Sequence, residues 1–382
     1  MLLKYPIVSG PRPDLWTLDP GVLHLNHGSY GAVPRRTQEV MSALRTEMDA
    51  NPMVWFRTVA DRLTASRLAL ASYLETDPAG FALVPNASAG VTVALQTLPI
   101  PAGSRIVLTD HAYGAVRYAA ERFAKERGAE VVTVGIPLEA DDETVVALVA
   151  AELDNASVLI VDQITSGTAK VFPIDALVTA AHAHGVPIVV DGAHAPALID
   201  APAAGGADFW TGNFHKWPAA PRATAGLVVA ERWRTAAMPL IVSWSEYDER
   251  MPERFDMQGT YDYVPWIAAP ESLRVLADLD WPARRPQLTA LVEEGAKILA
   301  KALGTGVADV VHPPATMRLV ELPPAVDLSG GDALKMRVSR ELKAEITFTG
   351  FEERKFIRLS AHAYNSLADY EKLSEGLPRV LA

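Results

Sequence analysis

From about residue 80 to residue 230, apolar runs of strand length alternate with amphipathic stretches of helical period, and this alternation limits the fold more than any other feature. The runs are "FALVP", "SRIVLTD", "AEVVTVGI", "SVLIVDQ", "VPIVVDGAH" and "ADFWTG", separated by stretches such as "GAVRYAAERFAKERGAE". Such a pattern predicts βαβ units and a mostly parallel sheet covered by helices on both faces. Functional residues then collect beyond the carboxyl ends of the strands. "GLVVA" at 226–230 predicts a further strand that could pair in the antiparallel sense.

Before this region come a polar, glycine-containing segment, "HLNHGSYGAVP", and two helices around "RTQEVMSALRTEM" and "DRLTASRLALASYLE". After it, 287–303 and 331–343 read as helices flanking a strand at "TMRLVELP". Another strand is expected at "KFIRLSA" and a last helix from Ser366. A length of 382 residues with 49% hydrophobic content suits two domains, the second a smaller α+β unit beginning near residue 275.

The net charge of −11 disfavours broad contact with nucleic acid or an anionic membrane, while leaving room for a local basic pocket. With no cysteine in the chain, disulfides, thiolate metal sites and any cysteine nucleophile are excluded. The opening "MLLKYPIVSGPRPDL" is broken by prolines, and no later run approaches the ~20 apolar residues of a membrane span. A cytoplasmic protein is expected.

Chemistry concentrates at the predicted strand ends. "VPIVVDGAHAP" sets Asp191 directly after a buried strand with His194 three residues on, and "ADFWTGNFHKWPAAP" sets Lys216 among aromatic residues at the end of the next strand. An acid and a lysine on neighbouring strand ends are what pyridoxal 5'-phosphate (PLP) requires: the lysine forms a Schiff base, and the carboxylate keeps the ring nitrogen protonated. Those two alone fit equally well a turn-capping carboxylate and an ordinary lysine. "VPNASAGVT" adds Asn86, Ala87 and Ser88 between a strand and a helix, where free N–H groups and the helix dipole suit a phosphate and where such residues are also common caps. Tyr113 in "LTDHAYGAVRY" can cover a ring face or simply pack, and Gln163 in "VDQITSG" ends a further strand.

In order and wording these pieces resemble the class V aminotransferases of fold type I, specifically the isopenicillin N epimerase-like branch, with cysteine desulfurases as more distant relatives. "LNHGSYGAVP", "PNASAGV", "VVDGAHAP", "GNFHKW", "VSW", "QGTYDYVPWIAAPES" and "IRLSAHAYN" carry the likeness over nearly the whole chain. The resemblance implies an α/β fold with a mainly parallel seven-stranded sheet in a large PLP domain (21–275). A smaller α+β domain (276–382) would follow, with segment 1–20 packing against it.

By the same resemblance, Lys216 carries the Schiff base, Asp191 pairs with the ring nitrogen and Tyr113 stacks on the ring. His194 and Gln163 would lie near the phenol oxygen. Ala87, Ser88 and His215 would hold the phosphate, joined by Thr260 of a neighbouring subunit, which implies a homodimer with shared sites. Arg358 would bind the substrate carboxylate. Asn26 and His27 sit where the family's amino-terminal loop approaches the substrate, and equally suit a polar turn. Asn213 departs from a serine common at that phosphate position, and Gln163 from a histidine of the epimerases.

A zinc site built on Asp191, His194 and His215 is disfavoured without cysteine, and His182 and His184 face opposite sides of a helix. No glycine-rich dinucleotide or Walker-type loop accompanies the strands. Within the family, a desulfurase route needs a cysteine and is closed. β-Elimination from an S-conjugated cysteine needs only Lys216 and a leaving thiolate, as in C–S lyases of sulfur-containing natural-product biosynthesis or the lincosamide-type decarboxylating deaminases. Epimerisation needs a second proton donor, for which Tyr113 is the one candidate; transamination, or an inert PLP-bound sensor, completes the alternatives. The substrate pocket would be walled by the amino-terminal loop, the region around Trp244 and the partner subunit.

Overall fold

The computed structural model describes residues 10–382, and the part of the 1–20 segment before Gly10 lies outside the described residues. Along the chain, β1 (Leu23–His24) and the single-turn α1 (His27–Tyr30) lead into α2 (Arg35–Ala50) and α3 (Pro52–Tyr73). Then follow β2 (Phe81–Val84), α4 (Ala87–Thr97), β3 (Arg105–Thr109), α5 (Gly114–Arg127), β4 (Glu130–Val134) and α6 (Asp142–Ala150). The alternation continues with β5 (Ala156–Asp162), α7 (Ile174–Ala183), β6 (Ile188–Asp191), β7 (Phe209–Asn213) and β8 (Ala225–Val229). The remainder comprises α8 (Met251–Asp256), α9 (Val264–Asp278), α10 (Trp281–Leu303), β9 (Met317–Glu321), α11 (Ala333–Leu342), β10 (Ala344–Glu345), β11 (Thr347–Phe351), β12 (Arg354–Ser360) and α12 (Leu367–Leu381).

The central sheet has seven strands in the order β2-β8-β7-β6-β5-β3-β4. β8 pairs antiparallel with both neighbours, and the remaining pairs are parallel. Because side chains alternate across a strand, Ile106 and Leu108 of β3 enter one apolar cluster with Ile160 and Val189, while Val107 joins Leu159, Val161 and Val190 on the other face. Every residue of β6 and β7 is buried, as in strands covered by helices on both faces.

The helices are punctuated by local chemistry. Asn86 caps α4 through a 2.9 Å bond from the Ala89 N–H, and α5 stops at Gly128, whose φ of 71° a β-carbon would disfavour. Ser366 and Asp369 form a reciprocal capping box on α12. α10 begins at Trp281, ahead of the expected 287, because Pro282 sits in the first turn, where no amide hydrogen is needed.

β9, β11 and β12 form an antiparallel sheet in the order β11-β12-β9, with α10 packed on α12 and β9. β11 was not expected from the sequence. β1 pairs with β10, the Arg12 N–H donates to the Ala363 carbonyl at 2.7 Å, and Trp16 meets His362 and Tyr364 edge-on. Residues 10–25 thus run along the three-stranded unit and bring α1 to the end of the large sheet. Among the described residues, no helix is long and apolar enough to cross a membrane.

Candidate active site

Three adjacent parallel strands end in polar residues: β5 in Asp162, β6 in Asp191 and β7 in Asn213. A cavity of about 240 Å3 opens beyond them. Of the residues singled out from sequence, Ala87, Ser88, Tyr113, Asp191, His194, Asn213, His215 and Lys216 all line it.

Lys216 leaves β7 in a turn clamped by its neighbours. Phe214 and Trp217 are both fully buried, and the N–H groups of Phe214 and His215 both donate to the Thr224 carbonyl. Gly31 presses against this turn with φ 67°; a β-carbon there would collide with the His215 carbonyl. Burial depresses the Lys216 amine to about 7, with the Arg358 charge assisting and Asp191 and Asp162 opposing.

The hydrogen bonds point to the same protonation state. Trp217 can only donate, and its indole Nε1 donates to His194 Nδ1 at 3.3 Å. Neutral His194, held neutral by burial, then carries its proton on Nε2, 2.8 Å from Lys216 Nζ. That proton needs a lone pair to accept it, so Lys216 is held as the free amine.

Asp191 accepts the Ala193 N–H at 2.9 Å. Beside it in register lies Asp162, equally buried at 3% exposure, and burial together with the neighbouring Asp191 charge pushes its carboxyl well above the usual range. Sequence reading passed over Asp162 in favour of Gln163. Its signal was present: "LIVD" and "IVVD" end alike.

At the amino terminus of α4, the Ala87 N–H donates to Asn213 Oδ1 at 2.9 Å, so Asn213 tethers the helix start to β7. Ser88, the next residue, lines the cavity. His215 Nδ1 donates to the Thr224 carbonyl at 3.2 Å, which leaves Nε2 as its remaining nitrogen. Burial lowers its pKa to about 4, and a bound phosphate would draw a proton onto it.

Arg358, on β12, is buried and donates only to neutral acceptors: the Ser166 carbonyl and hydroxyl, Asn26 Oδ1 at 3.0 Å and Ser29 Oγ at 3.3 Å. No carboxylate is among its partners within the described residues, and its Nε is buried without a partner. Burial pulls its pKa down to about 10. A guanidinium held this way is ready for an incoming anion. Asn26 therefore orients Arg358, and Ser166 and Ser29, which the sequence did not single out, line the cavity beside it.

Three expected residues are placed elsewhere. Gln163 points away from the cavity, donating to the Pro202 carbonyl at 2.9 Å and accepting from Trp210 Nε1 at 2.8 Å, because it follows Asp162 on a strand and so takes the opposite face. His27 is buried beneath Lys216: its Nε2 donates to the Lys216 carbonyl at 2.9 Å, its Nδ1 accepts from the Tyr364 hydroxyl at 3.0 Å, and its ring stacks on His362 at 3.8 Å. It holds the turn and does not face the cavity. Thr260 is exposed between α8 and α9, outside its own chain's cavity.

PLP fits this donor set. Asp191 is a buried carboxylate for the ring nitrogen, Lys216 is an unprotonated amine for the aldehyde, and the start of α4 with Ser88 and His215 offers donors to a phosphate. Fold and site together define a PLP-dependent enzyme of fold type I. The sequence model of the Cys/Met metabolism PLP-dependent enzyme family matches residues 63–239. The chain is 30% identical to the isopenicillin N epimerase of Streptomyces clavuligerus, over 94% of this chain and 95% of that one. It is 27% identical to a putative L-cysteine desulfhydrase of Oryza sativa subsp. japonica, over 95% of this chain and 84% of the relative. The cystine C–S lyase C-DES, solved with cysteine persulfide, shares the fold with a TM-score of 0.81 at 18% identity, covering 94% of this chain and 97% of that one. The chain belongs to the isopenicillin N epimerase-like branch of the class V aminotransferase family.

Proposed function

We propose that this chain is a C–S β-lyase that uses PLP to release a thiol from an S-substituted L-cysteine. The observation that carries the reading is Lys216 Nζ, kept unprotonated by a neutral histidine in a chain that has no cysteine. When bound, PLP supplies electron withdrawal from the amino acid Cα. Lys216 Nζ takes the α-proton, Arg358 receives the α-carboxylate, and the thiolate departs from Cβ and is protonated from Lys216. The remaining three-carbon fragment hydrolyses to pyruvate and ammonia. A desulfurase route, in which the sulfur passes to the enzyme as a persulfide, would need a cysteine that this chain lacks.

Epimerisation is the second reading, favoured by the 30% identity to an isopenicillin N epimerase. It asks for a second proton donor, and the half-exposed phenol of Tyr113 at the cavity is the candidate. Proton NMR of the PLP-loaded enzyme turning over S-substituted L-cysteines in heavy water separates the two. Pyruvate and free thiol establish the lyase. Loss of the Cα signal with both enantiomers formed and the C–S bond intact overturns it in favour of the epimerase.

The working form in this reading is a cytoplasmic homodimer. The segment from Met238 to Tyr247 exposes Leu240, Ile241, Val242 and, at 95%, Trp244, an apolar surface that a second copy would cover. Thr260 is exposed as a residue serving the partner's phosphate site would be.

A further inference from the structure

We propose that Asp162 and Asp191 together carry one proton, with Asp162 the uncharged, proton-donating member and Asp191 the anion. The assignment of both to the cofactor ring rests on the PLP reading above. The sharing of the proton concerns the apoprotein and does not depend on that reading.

Asp162 and Asp191 stand opposite each other on neighbouring parallel strands and line the same cavity. Strands so paired lie about 4.8 Å apart, which puts the two buried carboxyls close enough that ionising one raises the cost of ionising the other. The groups facing them do not supply two compensating charges. Above pH 7 Lys216 is the free amine, His194 and His215 are neutral, and the Arg358 guanidinium, hydrogen-bonded only to Ser166, Ser29 and Asn26, is the one cation near them. One negative charge is what this pocket balances.

The charge falls to Asp191. Its Oδ1 receives the Ala193 N–H at 2.9 Å within the turn that follows β6. Burial pushes both carboxyls up, Asp162 the further because it also meets the Asp191 charge, against a backbone contact from Tyr113. A protonated Asp162 leaves Asp191 anionic for the ring nitrogen and presents an O–H to an acceptor in the cavity. An ionised Asp162 would repel every such acceptor.

The test compares apoprotein melting from pH 5 to pH 8 for wild type, Asp162→Asn and Asp162→Ala, together with the PLP dissociation constant of each. A proton that the native state holds and the unfolded chain releases makes the wild type lose stability as pH rises above the ordinary carboxylate pKa. Asp162→Asn is free of that loss, so its Tm should exceed the wild type's by a margin that widens toward pH 8. Its PLP dissociation constant should stay within about threefold of wild type, while Asp162→Ala weakens binding about tenfold or more. An Asn variant no more stable than wild type at pH 8, or one that binds PLP as poorly as the Ala variant, overturns the proposal. Failure of the wild type to bind PLP would sink the cofactor reading, while the melting curves would still decide the shared proton.

Discussion

His194 Nε2 lies 2.8 Å from Lys216 Nζ, and the proton between them belongs to the imidazole because Trp217 occupies the other ring nitrogen as a donor. The amine is thus kept ready to attack the cofactor aldehyde. Its pKa of about 7 sets the pH dependence: the reactive fraction grows as pH rises through 7. The rate of PLP capture by apoprotein, followed by the visible absorbance of the Lys216 adduct, should rise with a midpoint near pH 7. Trp217→Phe frees Nδ1 to take the proton, so that His194 can accept from a charged Lys216, and the midpoint should move up by about one unit. An unchanged midpoint in that variant would show that the indole does not set the tautomer.

Arg358 gives a prediction with opposite effects on stability and on binding. Burial without a countercharge costs the folded apoprotein, as the lowered pKa records. Arg358→Met should therefore leave the apoprotein Tm unchanged or raised, while KM for the amino acid rises about 100-fold through loss of a charge-assisted pair. Melting curves and steady-state kinetics on one preparation check both. A variant that loses stability and keeps its KM would show that Arg358 is structural.

How much of this was legible follows the sequence separation of the contacts. Asp191, Lys216 and the Ala87–Ser88 helix start are each positioned by elements within a few residues, so strand-helix alternation exposed them. Asp162 and Gln163 differ by one residue of strand phase, which decides which faces the cavity, and an apolar run does not say where its last paired residue falls. The role of His27 depends on Ser360, Tyr364 and Lys216, more than 180 residues away. Short-range pattern carries no trace of such contacts. β11, with its "TFTGF" sequence interrupted by Gly350, depends on pairing with β12.

The exposed apolar segment makes the assembly testable. Trp244 at 95% exposure is a large ring that a single chain leaves in water. Trp244→Glu should convert a dimer to monomer at micromolar concentration in light scattering, and Thr260→Ala should weaken PLP binding without changing that mass. A monomeric wild type would remove the shared site from the reading.

His27 holds Lys216 from below, and its effect should appear in turnover more than in substrate affinity. Its imidazole donates to the Lys216 carbonyl, which also accepts the Ala219 N–H at 2.9 Å, and its stacking partner His362 contacts the Trp217 carbonyl at 3.2 Å. His27→Asn shortens the reach to that carbonyl, so kcat should fall about tenfold or more while KM stays within about twofold; His27→Gln, with a longer amide, should recover part of the loss. Burial lowers the His27 pKa to about 4 and takes His362 well below its ordinary value. Both rings are therefore neutral in the native state and charged in the unfolded chain between pH 6.5 and 4. The unfolded state binds more protons in that window, so stability falls as pH drops through it. Replacing His362 by Phe keeps the stack, removes one of the two titrating groups, and should flatten the fall in apoprotein Tm between pH 6.5 and 4. An unaltered slope in that variant would mean that acid unfolds the protein through other groups.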